Sequence, residues 1–216
     1  LAEKYHCPFS CHVAEIKEES RFLVIGDNSL EELLKERFAW DPEWQPPYKT
    51  PMQYLYALGI LDRLIAVHCN FVSDDLDIME EKKISPVFCP KSTEWFGRTQ
   101  FMPVRTLLDR GMSVALGTDS LASNDSLNFL DELRMADKLL PDVSRREILT
   151  MATRFGGEAL GLECGTLALG QKADLIGFRV PRSFSGPWSD VPFESHRREV
   201  DFYMVDGQRD AGLGVK

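Results

Sequence analysis

No stretch of this 216-residue chain approaches the roughly 18 consecutive apolar residues that a membrane-spanning helix needs, and its longest apolar runs are strand-sized. It also lacks a basic, apolar, small-residue leader. Positive charge is the scarcer sign, with 25 Lys and Arg against 34 Asp and Glu, a net charge of -9. The basic pairs Arg145-Arg146 and Arg197-Arg198 are too short to make the clustered cationic surface that nucleic acid or an anionic membrane requires. The five cysteines form no C-x-x-C pair, which excludes a zinc knuckle, and their odd number argues against a disulfide framework. Cys7, Cys11, Cys69 and Cys89 are expected to be buried, reduced thiols. Internal repeats and low-complexity segments are absent. The expectation is a soluble, cytoplasmic protein with neither nucleic acid nor membrane as partner.

What remains is an ordinary globular composition, 44% hydrophobic, enough for a real core. After a helix-like end at Leu1 to His6, a strand is expected over Cys7 to Val13, ending near His12 and followed by the polar run Glu15 to Arg21. Asn28 or Ser29 can cap a helix to about Arg37, and the Trp- and Pro-rich segment Trp40 to Pro51 is a long loop. A helix over Met52 to Leu58 leads to a strand, Leu64 to Cys69. A helix capped by Ser73 runs through Glu81, and a third strand spans Ile84 to Cys89. Pro103 to Arg110 is helical with Gly111 as its stop, and a fourth strand covers Ser113 to Gly117. Helices follow over Ser126 to Leu139 and Ser144 to Leu162, the latter with Ser144 and Glu147 as a capping box.

Strands alternating with helix-length intervals require parallel pairing and right-handed crossovers. Four such units make half of an eight-stranded barrel or the core of an open sheet. Beyond Gly165 the texture becomes β-rich: two short strands around Gly170 and Lys172, an irregular loop Pro181 to Ser195, and a strand Val200 to Val205 entering a tight turn at Asp206-Gly207. Residues 1–164 are read as the α/β domain and 165–216 as a small β-rich appendage.

The stretch Gly111 to Asn124, GMSVALGTDSLASN, runs an apolar strand straight into Asp119. Parallel α/β proteins keep their chemistry at such carboxyl ends. His12 with Glu15, and His68, occupy the ends of two other strands. Each has a plain structural explanation alone: Asp119 as a cap or turn residue, His68 as a satisfied core histidine. Together, at parallel strand ends, they would converge. His12 and Glu15 would project to opposite faces of a continuous strand, so both reach one pocket only if the strand ends at about Val13 and the chain turns. A helical His-x-x-Glu as in di-iron bundles is disfavoured by Pro8 and by the lack of a second such motif. Imidazole and carboxylate can bind a divalent ion such as Zn²⁺, which lowers the pKa of a coordinated water from about 16 to roughly 7. Glu15 could then pass a proton to a leaving nitrogen while His68 holds the attacking oxygen or the developing oxyanion. Two ligands fall short of the usual three, and His6 and His196 lie at no expected strand end.

The segments Ser10 to Glu15 (SCHVAE), Ala66 to Asn70 (AVHCN) and Ala115 to Asn124 (ALGTDSLASN) together resemble the second half of the amidohydrolase superfamily, deaminase and chlorohydrolase branch. Thr50 to Asp62, Met151 to Leu162 and Gly165 to Ile176 also fit its pattern, so the resemblance covers nearly the whole chain. It implies strands five to eight of a (β/α)₈ barrel, plus part of a small β-sandwich assembled from both chain ends. It further implies His12 as metal ligand, Glu15 as proton shuttle, His68 at the water or tetrahedral intermediate, and Asp119 as metal ligand and water activator. The cofactor implied is one divalent metal, zinc or else iron, and the reaction is hydrolytic deamination of an amino-substituted, purine- or nucleoside-like heterocycle. This chain lacks the P-C-x-x-C signature of the other zinc deaminase class. The family's His-x-His pair and first four βα units are missing, and Pro90-Lys91-Ser92-Thr93 stands where Pro-x-Ser-Asn is common. Within the branch, the segment Cys89 to Arg98 is similar to aminofutalosine deaminases.

The chain, which starts at Leu1 without a methionine, is therefore expected to be the C-terminal portion of a metal-dependent deaminase, inert and weakly zinc-binding alone, whose partner is the missing N-terminal barrel half. Hydrolytic dechlorination is the alternative chemistry. A non-catalytic (β/α)₄ module associating with itself through exposed strand edges is the alternative of another class. No substrate-binding residue can be named.

Overall fold

The computed structural model describes residues 2–28, 30–194 and 199–209. His196, Arg197 and Arg198 lie outside them. The elements in chain order are α1 (Ala2–Tyr5), β1 (Phe9–Val13), α2 (Lys17–Ile25), α3 (Glu31–Glu36), α4 (Pro51–Ala57), β2 (Leu64–His68), α5 (Leu76–Glu81) and β3 (Ser85–Phe88). They continue with α6 (Pro90–Trp95), α7 (Val104–Asp109), β4 (Ala115–Leu116), α8 (Phe129–Leu139), α9 (Arg145–Ala152), α10 (Arg154–Leu160), β5 (Leu175–Gly177), a 3₁₀ turn (Trp188–Phe193), β6 (Phe202–Val205) and β7 (Gln208–Arg209). The chain divides into two compact units, Leu1–Phe88 with Arg98–Met112, and Cys89–Gly97 with Ser113–Lys216.

In the first unit, β1, β2 and β3 pair in parallel, as the strand-helix alternation predicts, with His12 opposite Val67 and Val13 opposite His68. The core gathers Val13, Met52, Leu64, Met79, Phe88, Met102 and Leu107, all essentially inaccessible to solvent. Strand β2 is buried along almost its whole length, whereas β1 exposes Ser10, Cys11 and His12. Thr50 caps α4: its hydroxyl accepts the Gln53 N–H and the Gln53 side chain accepts the Thr50 N–H. No helix is expected from the polar run after Glu15, yet α2 forms there, because the Glu19 carboxylate reaches back to accept the N–H groups of Ala14 and Glu15, both at 2.9 Å. The helix expected from Asn28 or Ser29 begins only at Glu31. Ser73 does not cap α5: the N-cap position is Asp75, whose carboxylate instead accepts the Thr50 hydroxyl at 2.8 Å. Trp40 to Thr50 is irregular as expected, and Phe22 of α2 stacks on Trp44 with ring centroids 4.1 Å apart.

In the second unit, α9 and α10 pack on β4, and α8 packs on α6 and α9. The Ser144/Glu147 capping box is present. The single helix expected to Leu162 is broken at Thr153, whose backbone (φ -122°, ψ -85°) leaves the helical range between α9 and α10. Gly165 passes close to this break, so near that a Cβ on it would stand 2.5 Å from the Thr153 carbonyl oxygen. Helix α6 follows β3 directly where a strand stop at Pro90 is all that is expected, since Pro at the first helical position needs no N–H partner. β5, β6 and β7 form an antiparallel sheet, and Asp206 (φ 50°) with Gly207 (φ 75°) makes the tight turn between β6 and β7. Two strands around Gly170 are not formed. Only β5 is present, and Leu167 and Leu169 are fully exposed.

All five cysteines are free, with Cys69 and Cys89 buried as expected. Cys7 and Cys11 are exposed, contrary to expectation, because the first lies in the turn before β1 and the second on its uncovered face. No helix among the described residues is long and apolar enough to cross a membrane.

Candidate active site

β1 ends at Val13, and the next residue turns the chain. Ala14 is fully buried and takes a left-handed backbone (φ 50°), which brings Glu15 round to the side that His12 occupies. That turn is held from β2: Cys69 N–H donates to the Val13 carbonyl at 3.0 Å, and the N–H groups of Asn70 and Phe71 donate to the Ala14 carbonyl at 2.9 and 3.1 Å. The chain leaves β2 in the same manner, with His68 (φ 72°) and Cys69 (φ 48°) both left-handed. Two strand ends thus carry backbone conformations that non-glycine residues rarely adopt, a form of strain that clusters at functional sites.

The His12 and His68 rings stack with centroids 5.1 Å apart and planes inclined by 21°. A Glu15 carboxylate oxygen lies 3.8 Å from His68 Nε2. His68 is 2% exposed, so this imidazole and carboxylate face each other largely shielded from water. Two residues not singled out from sequence hold Glu15 in place. Arg98 donates from one guanidinium nitrogen to the Glu15 carbonyl at 3.0 Å and from the other to its carboxylate at 2.6 Å. The buried Asn70 donates its amide to the Glu15 carbonyl at 3.0 Å and accepts the Met102 N–H at 3.1 Å. Burial pushes the neighbouring Glu19 carboxyl above the ordinary carboxylate range, against the pull of the N–H groups it accepts. It likewise pushes the Cys69 thiol far up.

Asp119, three positions beyond β4, is also left-handed (φ 58°). Its Oδ2 accepts the hydroxyls of Ser92 at 2.8 Å and Ser123 at 2.6 Å. The amide of Asn124 donates to the Thr118 carbonyl at 2.9 Å and to the buried Glu132 carboxylate at 2.6 Å, and the other Glu132 oxygen accepts the Lys91 N–H at 3.0 Å. Burial raises the Glu132 carboxyl, opposed by those two donors.

Among the described residues, His12 and His68 in the first unit and Asp119 in the second are the imidazoles and the carboxylate at strand ends that could serve as metal ligands. Two imidazoles and a carboxylate are a donor set that zinc accepts. A cavity lined by His6, Phe9, Ile60, Asp62 and Arg63 lies instead at the amino-terminal end of β1 and gathers no such set.

Ser92, Asn70, Arg98, Ser123, Asn124 and Glu132 were not anticipated as site residues. Ser123-Asn124 ends the very stretch that carries Asp119, and Ser92 falls in the Pro90 to Thr93 segment, so adjacency was their only signal. Arg98 ends the Cys89 to Arg98 segment and Asn70 the Ala66 to Asn70 segment, the same kind of signal, whereas Glu132 had none.

The chain matches the Amidohydrolase family over residues 1–209. It is 32% identical over 222 residues to a 5-methylthioadenosine/S-adenosylhomocysteine deaminase of Thermoanaerobacter pseudethanolicus, covering 94% of this chain and 51% of that protein. The chain thus spans about half the length of the curated relatives it matches. Among solved structures it resembles an adenosine deaminase from Xanthomonas campestris with bound zinc (TM-score 0.77, 23% identity, 96% of this chain and 46% of that one). It also resembles the Helicobacter pylori aminofutalosine deaminase in complex with methylthio-coformycin (TM-score 0.78, 24% identity, 97% and 52%). At these identities the two structures speak for a shared α/β fold.

Proposed function

The chain belongs to the amidohydrolase family, and from that premise we propose that it is part of a divalent-metal-dependent deaminase acting on an adenosine-like nucleoside. The observation that carries the reading is the stacking of His12 on His68 with Glu15 beside His68, in a chain whose Asp119 carboxylate is held by two hydroxyls. The deaminase name of its relative favours deamination over dechlorination. Residues 1–164 are taken as the second half of a (β/α)₈ barrel and 165–216 as the β-rich part of a composite sandwich, the remainder being supplied by the other half of the enzyme. The exposed thiols Cys7 and Cys11 suit a reducing, cytoplasmic setting.

His12 and Asp119 would hold the ion, zinc by the solved neighbour, with iron the alternative. The ion would supply the Lewis acidity that makes water nucleophilic near neutral pH. Asp119, fixed by Ser92 and Ser123, accepts a proton from that water as it adds to the ring carbon bearing the amino group. His68 would hold the attacking oxygen as the C=N electrons pass to the ring nitrogen. Glu15, held by Arg98, carries a proton to the departing nitrogen, so that water and the amino-heterocycle become the keto-heterocycle and ammonia.

The test is a steady-state assay of the intact gene product against adenosine, 5′-methylthioadenosine, S-adenosylhomocysteine, aminofutalosine and a chlorotriazine. Ammonia release from at least one nucleoside is expected. Chloride release alone would establish dechlorination, and no turnover of any would overturn the enzymatic reading.

A further inference from the structure

Glu132 lies on α8 among Leu130, Leu133 and Ala136, the face that this helix buries, and is wholly inaccessible to solvent. A carboxylate there is costly unless donors satisfy it, and an apolar residue of similar size would serve packing better. Its two donors come from two separate segments: the Lys91 N–H at the start of α6 and the Asn124 amide after β4. The residues next to these donors, Ser92 and Ser123, are the two whose hydroxyls bind Asp119 Oδ2. Asn124 also grips the carbonyl of Thr118, the residue before Asp119. One buried carboxylate therefore ties together both arms of the cradle around Asp119.

We propose that Glu132 is a positioning residue for Asp119, fixing Ser92 and Ser123 so that the Asp119 carboxylate is oriented for a metal ion. The inference rests on the reading of Asp119 as a ligand. Hydrogen bonds to an ionised acceptor are about twice as strong as neutral ones, and both Glu132 oxygens face donors. A glutamine of the same shape offers one acceptor and one NH₂ group, so one of the two contacts would become donor against donor. One arm of the cradle would then be released with the volume of the core unchanged.

The test uses the intact gene product loaded with zinc or cobalt(II), comparing wild type, E132Q and D119N. Zinc affinity is read by chelator competition, the ion's surroundings by the cobalt(II) visible spectrum, and folding by circular dichroism. E132Q is expected to fold, to bind zinc at least about tenfold more weakly, as is usual when a ligand's supporting partner is lost, and to alter the cobalt spectrum. D119N is expected to do so more strongly. An impaired D119N beside an unchanged E132Q overturns the proposal alone, whereas an unchanged D119N overturns the ligand reading and the proposal with it. A lower unfolding temperature for E132Q with the wild-type cobalt spectrum would mark Glu132 as merely structural and also overturn it. Should E132Q fail to fold, N124A, which cuts the link from the other side, carries the same expectations and the same overturning result.

Discussion

Glu15 owes its position to a single backbone turn and to Arg98 and Asn70. On a strand that continued past Val13 it would project away from His12; the left-handed Ala14 reverses that, and Arg98 then grips both its carbonyl and its carboxylate. Such a two-point hold matters because a proton carrier acts only within hydrogen-bond reach of its donor and acceptor. Replacing Glu15 by Gln in the intact gene product is expected to lower kcat by about 10²- to 10⁴-fold, the usual contribution of a general acid or base. Arg98→Met should act in the same direction through displacement, with a loss of about 10²-fold or less in kcat and little change in KM. Equal losses in kcat and kcat/KM would fit that role, whereas a rise in KM alone would move Arg98 to substrate binding. The strand-end placement of His12, His68 and Asp119 was legible from the apolar runs that precede them. The hold of Arg98 on Glu15 was not, since a contact between residues 83 apart leaves no periodic or local mark.

At the level of elements, the buried strand β2 and the capping box of α9 were read well, whereas the Ser73 cap and the junctions were not. β2 and the Ser144 capping box announce themselves locally, by a continuous apolar run and by a spacing of three. The break at Thr153 lies against a segment twelve residues on. Gly165 there has φ +88° and no room for a side chain, so Gly165→Ala is expected to cost about 1–3 kcal/mol, measurable by urea unfolding, with the α9–α10 junction the first region to lose hydrogen-exchange protection. Asp75, ahead of α5, supplies a pH test. Burial raises its carboxyl above the ordinary value, against the Thr50 hydroxyl, so the folded state binds the proton more tightly than the unfolded one. Its contribution is therefore complete below about pH 4 and is lost as the pH rises through the raised value. An asparagine at this position would not titrate. The stability of wild type relative to Asp75→Asn is thus expected to fall as the pH climbs from about 4, by urea titration at a series of pH values; a difference that rises or stays flat would show that burial does not govern this carboxyl.

For the molecule as a whole, what the chain contains has to be weighed against what its relatives contain. It aligns with only 51% of the first curated relative's length while being itself 94% covered. His12, His68 and Asp119 offer three donors, and under the proposed roles only His12 and Asp119 bind the ion, one short of the three protein ligands that catalytic zinc sites use. Leu167, Leu169 and Ile176 in the β-rich segment are exposed by 90%, 106% and 61%, apolar area that the proposed composite sandwich would cover. Under the proposed half-barrel reading, a chain with such surface is expected to lack turnover, because a site left open to water loses the electrostatic advantage of a closed one. The 216-residue chain prepared alone should then release no ammonia from adenosine-type nucleosides, bind zinc more weakly than the intact gene product, and elute above monomer mass in size-exclusion chromatography with light scattering. Full turnover by a monomeric 216-residue chain would instead mean that the four proposed residues suffice, and that the missing length of the relatives serves some purpose other than completing this site.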